Sequence, residues 1–390
     1  MKKFLTLAFA FVFMTGVAFA QSNEATVEQI GDNHEASVDQ EGQDNSALAR
    51  VLGGSGSDLS ILQIGVGNDA VMDQLRDNIV ATQEQRGDNN TASIMQARQG
   101  NTITQLQEGD GNTATFLGHN IPSVRNGTYL QDQYGDDNTA SIVGANNGNV
   151  VTQTQTGDDN EATLVGSNYS GNTVEQIQEG DGNYSAIDFF NSSKDNVVSS
   201  KQLGDDNIAT IDVDGSNNEA RVDPQQGDDN TAYISQTGDN HRASQYVVGD
   251  GNDVSQTQTG TNQWQRLEIW GSDNEFTTAQ SGSDNRLYVN ARGTGPGDND
   301  LRSNGSILDV DQLGSGNLIS GAMGGEGNSL TITQDGHGNM VSGGQGMFDA
   351  AGFTIQGDGN AATISQMGDS NSAVLSQMGD SNTATISQSN

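Results

Sequence analysis

A run such as QMGDSNSAVLSQ, residues 366–377, returns along nearly the whole chain at spacings close to 11. The next copy, QMGDSNTATISQ, occupies 377–388, and QRGDNNTASIMQ and QQGDDNTAYISQ stand at 85–96 and 225–236. A fixed short period constrains architecture more than any other feature, because units that cannot each bury a core must stack on one another. The turn is Gly-Asp-Asp-Asn, Gly-Asp-Gly-Asn or Gly-Asp-Ser-Asn. Gly and Asn tolerate positive φ there. After the turn Asn382, Ala384, Ile386 and Gln388 are each two apart, so a strand points all four to one face.

Two kinds of half-repeat alternate. Asn90, Asn112, Asn138, Asn160, Asn207 and Asn230 open halves with Ala and an aliphatic residue. Asn101, Asn149 and Asn172 open halves with Val or Ile and paired Gln. The alternation blurs after Asn230, and Asn252 opens a Gln-rich half early. The expected fold is all-β, a parallel two-sheet β-solenoid of roughly 15 to 16 strand-turn-strand rungs of about 22 to 24 residues, stacked at strand spacing. Irregular turns are expected near 118–130, 290–305 and 340–352, where the period breaks and where Pro122 and Pro296 lie.

The expected inward ladder and core comprise Asn138, Ala140, Ile142, Asn149, Gln153, Gln155, Asn160, Ala162, Leu164, Asn172, Gln176 and Gln178. Near the C-terminus they are Asn371, Ala373, Gln377, Asn382, Ala384, Ile386 and Gln388. Each Asn and Gln amide is expected to bond the equivalent amide above and below. The turn glycines are Gly87, Gly135, Gly157, Gly204, Gly227, Gly368 and Gly379. An acidic edge of Asp136, Asp158, Asp205, Asp228, Asp369 and Asp380 is expected to act as a gatekeeper, since like charges one strand spacing apart repel and slow strand pairing. His34 and His241 take the Asn position in GDNH turns, so the ladder tolerates substitution.

Composition fits a thin core: 32% of residues are hydrophobic, 5% aromatic, and Gly is 51 of 390. The formal charge is -36, which excludes nucleic acid as a natural partner because phosphate binding needs a basic surface. No Cys is present, so disulfides, zinc-thiolate sites and cysteine nucleophiles are absent. Residues 1–20 read as a Sec signal peptide, with Lys2 and Lys3, an apolar run and Ala18-Phe19-Ala20 at the cleavage site. The solenoid is then 21–390, and membrane insertion is not expected.

These residues match the pattern Ser-x5-Gln-x-Gly-x-x-Asn-x-Ala-x3-Gln, and the chain resembles the curlin-repeat family over about residues 22–390. The resemblance implies a major subunit of curli fibres with an enlarged number of repeats. It implies passage of the unfolded chain through a curli-type outer-membrane secretion channel of a Gram-negative-type bacterium. It also implies a nucleator subunit as partner, and extracellular amyloid in the biofilm matrix. Repeats begin at once with Gln29-Ile30-Gly31, where family members usually carry a non-repetitive export-targeting segment. The opening Ser is often replaced by Asn or Thr.

Other readings of the same residues are weaker. The acidic turns lack the nine-residue pattern of calcium-binding rolls. The outward Thr array of an ice-binding solenoid is interrupted by Glu161, Ile208 and Tyr233. His34, His119, His241 and His337 are isolated and no Ser sits in a nucleophile motif, so no catalytic residue, metal site or cofactor is expected. Trp264 and Trp270 could stack on sugars but read better as edge aromatics. A non-polymerising stalk would share the solenoid and would need polar caps. None is visible in the first rung, around Gln29, Gly31 and Asn45, or in the last, from Gln366 to Gln388. The expected partner is therefore a second copy stacked end to end.

Overall fold

A computed structural model describes residues 22–97, 100–118, 126–145, 148–166, 170–291, 303–342 and 352–390. The leader expected at 1–20 lies outside them. The chain divides into two compact units, Met1–Gly148 and Asn149–Asn390. Each is a two-sheet parallel β-solenoid, and together they make about 15 turns of about 22 residues.

In the first unit, strands alternate between two sheets. Thr91–Met95, Thr113–Gly118 and Thr139–Ala145 lie in one; Val80–Arg86, Thr102–Glu108 and Thr128–Tyr134 lie in the other. The two kinds of half-repeat thus sort into two sheets. In the second unit strands again alternate between two sheets. One sheet holds Val150–Thr156, Thr173–Glu179 and Val197–Leu203, and continues through Glu219–Gln226, Arg242–Val248, Trp264–Trp270 and Arg286–Ala291. The other holds Glu161–Gly166, Tyr184–Lys194, Ile208–Ser216, Thr231–Asp239 and Asp253–Thr261, and runs on to Ala361–Met367 and Thr383–Ser389.

Equivalent residues on neighbouring rungs are mostly 22, 23 or 24 apart. The step is 26 from Gln107 to Gln133 and 32 from Gln280 to Gln312 and from Gln334 to Gln366. Insertions absorb the excess, and their residues 119–125, 292–302 and 343–351 lie outside the described ones. Among the expected irregular stretches, Thr128, Tyr129 and Leu130 stand in a regular strand. So do Asn290 and Ala291, and Met340 and Val341. A break that sequence reading missed is at Pro224, where the register slips between Val222 and Gln225. Pro has no N–H to give to a ladder, so an extra residue bulges out.

Alternation dictates burial. In Thr231–Asp239, Ala232, Ile234 and Gln236 point inward and are fully or almost fully buried, while Thr231, Tyr233 and Ser235 face outward. Small and large residues compensate within the thin core. Tyr129 and Phe116 meet with ring centroids 4.8 Å apart, and a Cβ on Gly127 would run into the Tyr129 ring. Gly321 likewise leaves room for the ring of Phe353, its partner on the next strand.

Most turns among the described residues have two positions of positive φ. At the turn before Asn230, Gly227 has φ +110° and Asp229 +57°. The left-handed non-glycine residue is therefore the one preceding the ladder Asn. A Cβ on Gly227 would also collide with the Gly249 carbonyl oxygen on the next rung. Gly316, at φ +66°, has nothing within 4 Å. Gly227→Ala should therefore cost about 3 kcal/mol, combining strain with a collision. Gly316→Ala should cost only about 1 kcal/mol, and denaturant titration of the two variants measures the difference.

Candidate functional site: the amide ladders

The inward Gln at the end of a strand donates to its counterpart one rung on. In the first unit Gln40, Gln63, Gln85, Gln107 and Gln133 form such a column, with Nε2–Oε1 distances of 2.7, 2.9, 2.9 and 3.0 Å. A second column, Gln83, Gln105 and Gln131, runs two residues away at 2.8 Å per step. An amide has two N–H donors, and the second is also used. It reaches the carbonyl of the residue that opens a strand in the facing sheet: Gln63 to Ser46 at 2.8 Å and Gln85 to Asp69 at 3.1 Å. Each Gln therefore ties rung to rung and sheet to sheet.

In the second unit the column changes sheet. Gln155, Gln178, Gln202 and Gln225 bond in series in the first sheet, the last step at 3.3 Å. From Gln236 the column stands in the facing sheet, through Gln258, Gln280, Gln312, Gln334 and Gln366 to Gln388, with steps of 2.6 to 3.1 Å. Apolar residues, Val247 and Ile269 among them, occupy the vacated position. This is why Asn252 opens a Gln-rich half earlier than the alternation predicts. Gln153 and Gln176 form a shorter inner pair at 2.9 Å.

The Asn columns differ from expectation. Their main bond is side chain to backbone, not amide to amide. The backbone N–H of Asn68, Asn90 and Asn112 donates to Oδ1 of the preceding Asn at 3.0, 2.9 and 2.9 Å. Each Nδ2 then caps a turn carbonyl, as Asn90 does to Gly109 at 2.7 Å. Amide-to-amide contact is added in some rungs only, for example Asn183 to Asn160 at 3.1 Å. The reason is geometric: the shorter Asn side chain stays beside its own main chain, whereas Gln reaches the next amide. Asn138 donates its N–H to Asn112, and Asn149 and Asn172 are joined at 3.0 Å. Asn371 and Asn382 bond back to Asn339 and Asn360. Asn45 caps the Gly65 carbonyl.

Ala140, Ile142, Ala162 and Leu164 are fully buried between the sheets, and Ala373 nearly so. Ala384 and Ile386 are only partly buried. The seven glycines expected at turns all have positive φ, from +90° at Gly379 to +119° at Gly204, and Gly31 has +133°. Gln29 faces Val51 on the next rung and so starts no ladder there. Gln377 sits in the facing sheet from Gln388 and clips the Ala361 carbonyl at 3.2 Å.

The turn carboxylates do more than face solvent. The backbone N–H groups of Asp110, Asp181 and Asp205 donate to Oδ1 of Asp136, Asp205 and Asp228 at 2.8 to 2.9 Å. His337 and Asp358 donate in the same way to Asp369 and Asp380 at 3.0 Å, and the Asp158 N–H is held by Asp181. The Asp column is thus a third, exposed ladder.

Substitutions in the Asn column follow the same logic. His34 accepts the Ser57 N–H through Nδ1 at 3.2 Å, as an Asn oxygen would. His241 donates its own N–H to Asn218 Oδ1 at 2.8 Å. Sequence reading missed Ser57, Ile79, Gly127, Gln263 and Ser306 at ladder positions. A spacing of about 11 from the neighbouring Asn was the only signal. Among the described residues no group of three or more His, Asp or Glu side chains is placed to hold a metal ion.

Parallel solenoids held by buried amide columns form the structural class this geometry defines. Within it, the family described as curlin associated repeat matches the chain at residues 20–49, 227–260 and 357–389. The chain therefore carries curlin repeats at three positions. A comparison with curated proteins finds no match. No described helix is long and apolar enough to cross a membrane.

Gln280→Leu leaves a donor on Gln258 and the Gln312 oxygen unmatched in the core. It should cost about 2 kcal/mol or more. Gln280→Glu should cost more at pH 7 than at pH 4, because a buried carboxyl is tolerated only when protonated; denaturant titration at the two pH values checks both.

His241 is 1% exposed, and burial, outweighing its backbone bonds to Thr237 and Gly260, holds its pKa below the usual value. The unfolded chain therefore takes up a proton first. Stability should fall as pH drops below about 6.5 and level off below the lowered folded value. His241→Asn should remove that component, as stability profiles of the two proteins would show.

Proposed function

We propose that this chain is a secreted structural subunit that stacks end to end into extracellular, curli-like amyloid fibres serving adhesion and cohesion in a biofilm matrix. The observation that carries the reading is the amide column itself. It translates by one strand spacing per rung, and in a second copy stacked in register Gln29 would meet Gln388 as the next amide. The strand Thr383–Ser389 bonds to Ala361–Met367 along one edge, and its inward Ala384 and Ile386 are partly buried. In the first rung, Ala25, Val27 and Gln29 repeat the inward spacing of Ala384, Ile386 and Gln388.

An outer-membrane secretion channel and a nucleator subunit are the partners the curlin repeat suggests, and the extracellular matrix is the location. Asp136, Asp158, Asp205, Asp228, Asp369 and Asp380 act in this reading as a brake: each new rung adds a carboxylate beside the last, so assembly is slower at pH 7 than at pH 4.

Electron microscopy and fibre diffraction of the mature chain should show fibres with a reflection at about 4.7 to 4.8 Å. Stable monomers at high concentration would instead identify a non-polymerising stalk. Deletion of 357–390 should slow elongation, whereas deletion of one internal rung should be mild; equal growth of both would contradict end-to-end stacking. Equal lag times at pH 4 and pH 7, unaffected by salt, would remove the acidic brake.

A further inference from the structure

The outer faces of the two sheets in the second unit are chemically opposite. Strands Glu219–Gln226, Arg242–Val248, Trp264–Trp270 and Arg286–Ala291 carry Arg221, Arg242, Arg266 and Arg286 against three carboxylates, Glu219, Asp223 and Glu268. Both tryptophans of the chain stand on this face. The facing sheet over the matching rungs is Thr231–Asp239, Asp253–Thr261, Glu275–Ser283 and Ile307–Ser315. It carries Asp239, Asp253, Glu275, Asp309 and Asp311 and no Lys or Arg.

Register makes these columns. Arg242, Trp264 and Arg286 are direct partners on successive strands. Asp253 and Glu275 are direct partners on the other face. In the first column the arginines alternate with Trp264 and stand two strand spacings apart, about 9.6 Å, whereas Asp253 and Glu275 stand one apart, about 4.8 Å. Internal pairing does not exhaust the arginines. Glu219 is shared by Arg221 at 2.7 Å and Arg242 at 3.3 Å, and Arg266 pairs with Glu268 at 2.5 Å. Arg286 is exposed and makes no ion pair among the described residues.

We propose that the arginine and aromatic face of residues 219–291 is a lateral docking surface for the acidic, Thr-rich face of a second copy of this chain. Charge complementarity selects the occupant. On a chain of net charge -36, this arginine-bearing face meets on every other copy a face that carries Asp and Glu and no Lys or Arg. The contact uses different patches on the two partners, so it is open and adds copies side by side. The ring geometry disfavours a sugar chain as occupant. Tyr246 and Trp270 stack on each other at 5.9 Å and 19°, so those ring faces are turned along the column rather than offered flat to a ligand.

This proposal rests on self-association but not on end-to-end growth, and the two separate experimentally. The full mature chain, R242E/R286E and the opposite-face variant D253K/E275K are compared by electron microscopy and sedimentation velocity at low and high salt. Wild type should associate side by side at low salt and disperse at high salt. Each variant alone should lose lateral association, while filament length and the strand-spacing reflection stay unchanged. Mixing the two variants should restore side-by-side pairing between them, because the acidic altered face of one meets the basic altered face of the other, and their unaltered faces remain complementary. A single chain carrying all four substitutions should regain pairing, because its two faces are again opposite. Lateral association that survives R242E/R286E, or that the fourfold variant fails to regain, overturns the proposal. So does unchanged association with loss of binding to polygalacturonate, which would make the face a glycan surface. If no filaments form at all, end-to-end stacking fails, and salt-sensitive pairing of monomers still tests the lateral contact.

Discussion

A primary amide buried in a dry layer must find partners for two donors and an acceptor, and the architecture of this chain depends on that requirement. An unmatched buried amide costs more than a matched one contributes, so the Gln columns act mainly by excluding other registers. Gln85 illustrates it. It accepts from Gln63, donates to Gln107, and donates again to the Asp69 carbonyl in the facing sheet. A slip of one residue would turn the amide outward and leave both Gln neighbours unmatched. The thin aliphatic filling supplies burial but little discrimination, since Ala, Val, Ile and Leu replace one another along the columns.

The turns serve that same register. Gly227 approaches the next rung too closely for a side chain, and Asp229 bends the chain so that Asn230 enters the core. The Asn then caps turns and catches the next main chain, while turn carboxylates such as Asp205 hold N–H groups outside. Three ladders of different chemistry, Gln within the core, Asn at its corner and Asp in solvent, share one translation. That common translation also stacks outward residues into columns, such as Glu219, Arg242, Trp264 and Arg286.

Much of this was legible. The run from Asn382 to Gln388 places Asn, Ala, Ile and Gln on one face by alternation alone, and the strand-turn-strand period gives two sheets. Less legible was what each amide bonds. Asn and Gln look interchangeable in a repeat, yet the ladder Asn oxygens take a backbone N–H, as Asn68 does from Asn90, whereas the ladder Gln oxygens take another Gln amide, as Gln85 does from Gln63. The change of sheet between Gln225 and Gln236 showed only as the blurred alternation after Asn230, because both read as Gln-x-Gly. Ile79 and Gly127 stand where Asn was expected, and only their place in the stack shows it. At Pro224 one extra residue shifts the alternation, so that inward Ala220 and Val222 are followed by Gln225.

The sequence by itself determined the strand period, the turns and the inward face, because these depend on residues within about a dozen positions and on local sterics. The tertiary structure alone decided which rung lies on which. Partners 22 to 32 residues apart are chosen by hydrogen bonds across the stack, and insertions of different length change the count without changing the pairing. Arg242, Trp264 and Arg286 become one column, and Gln280 meets Gln312, only through that long-range register.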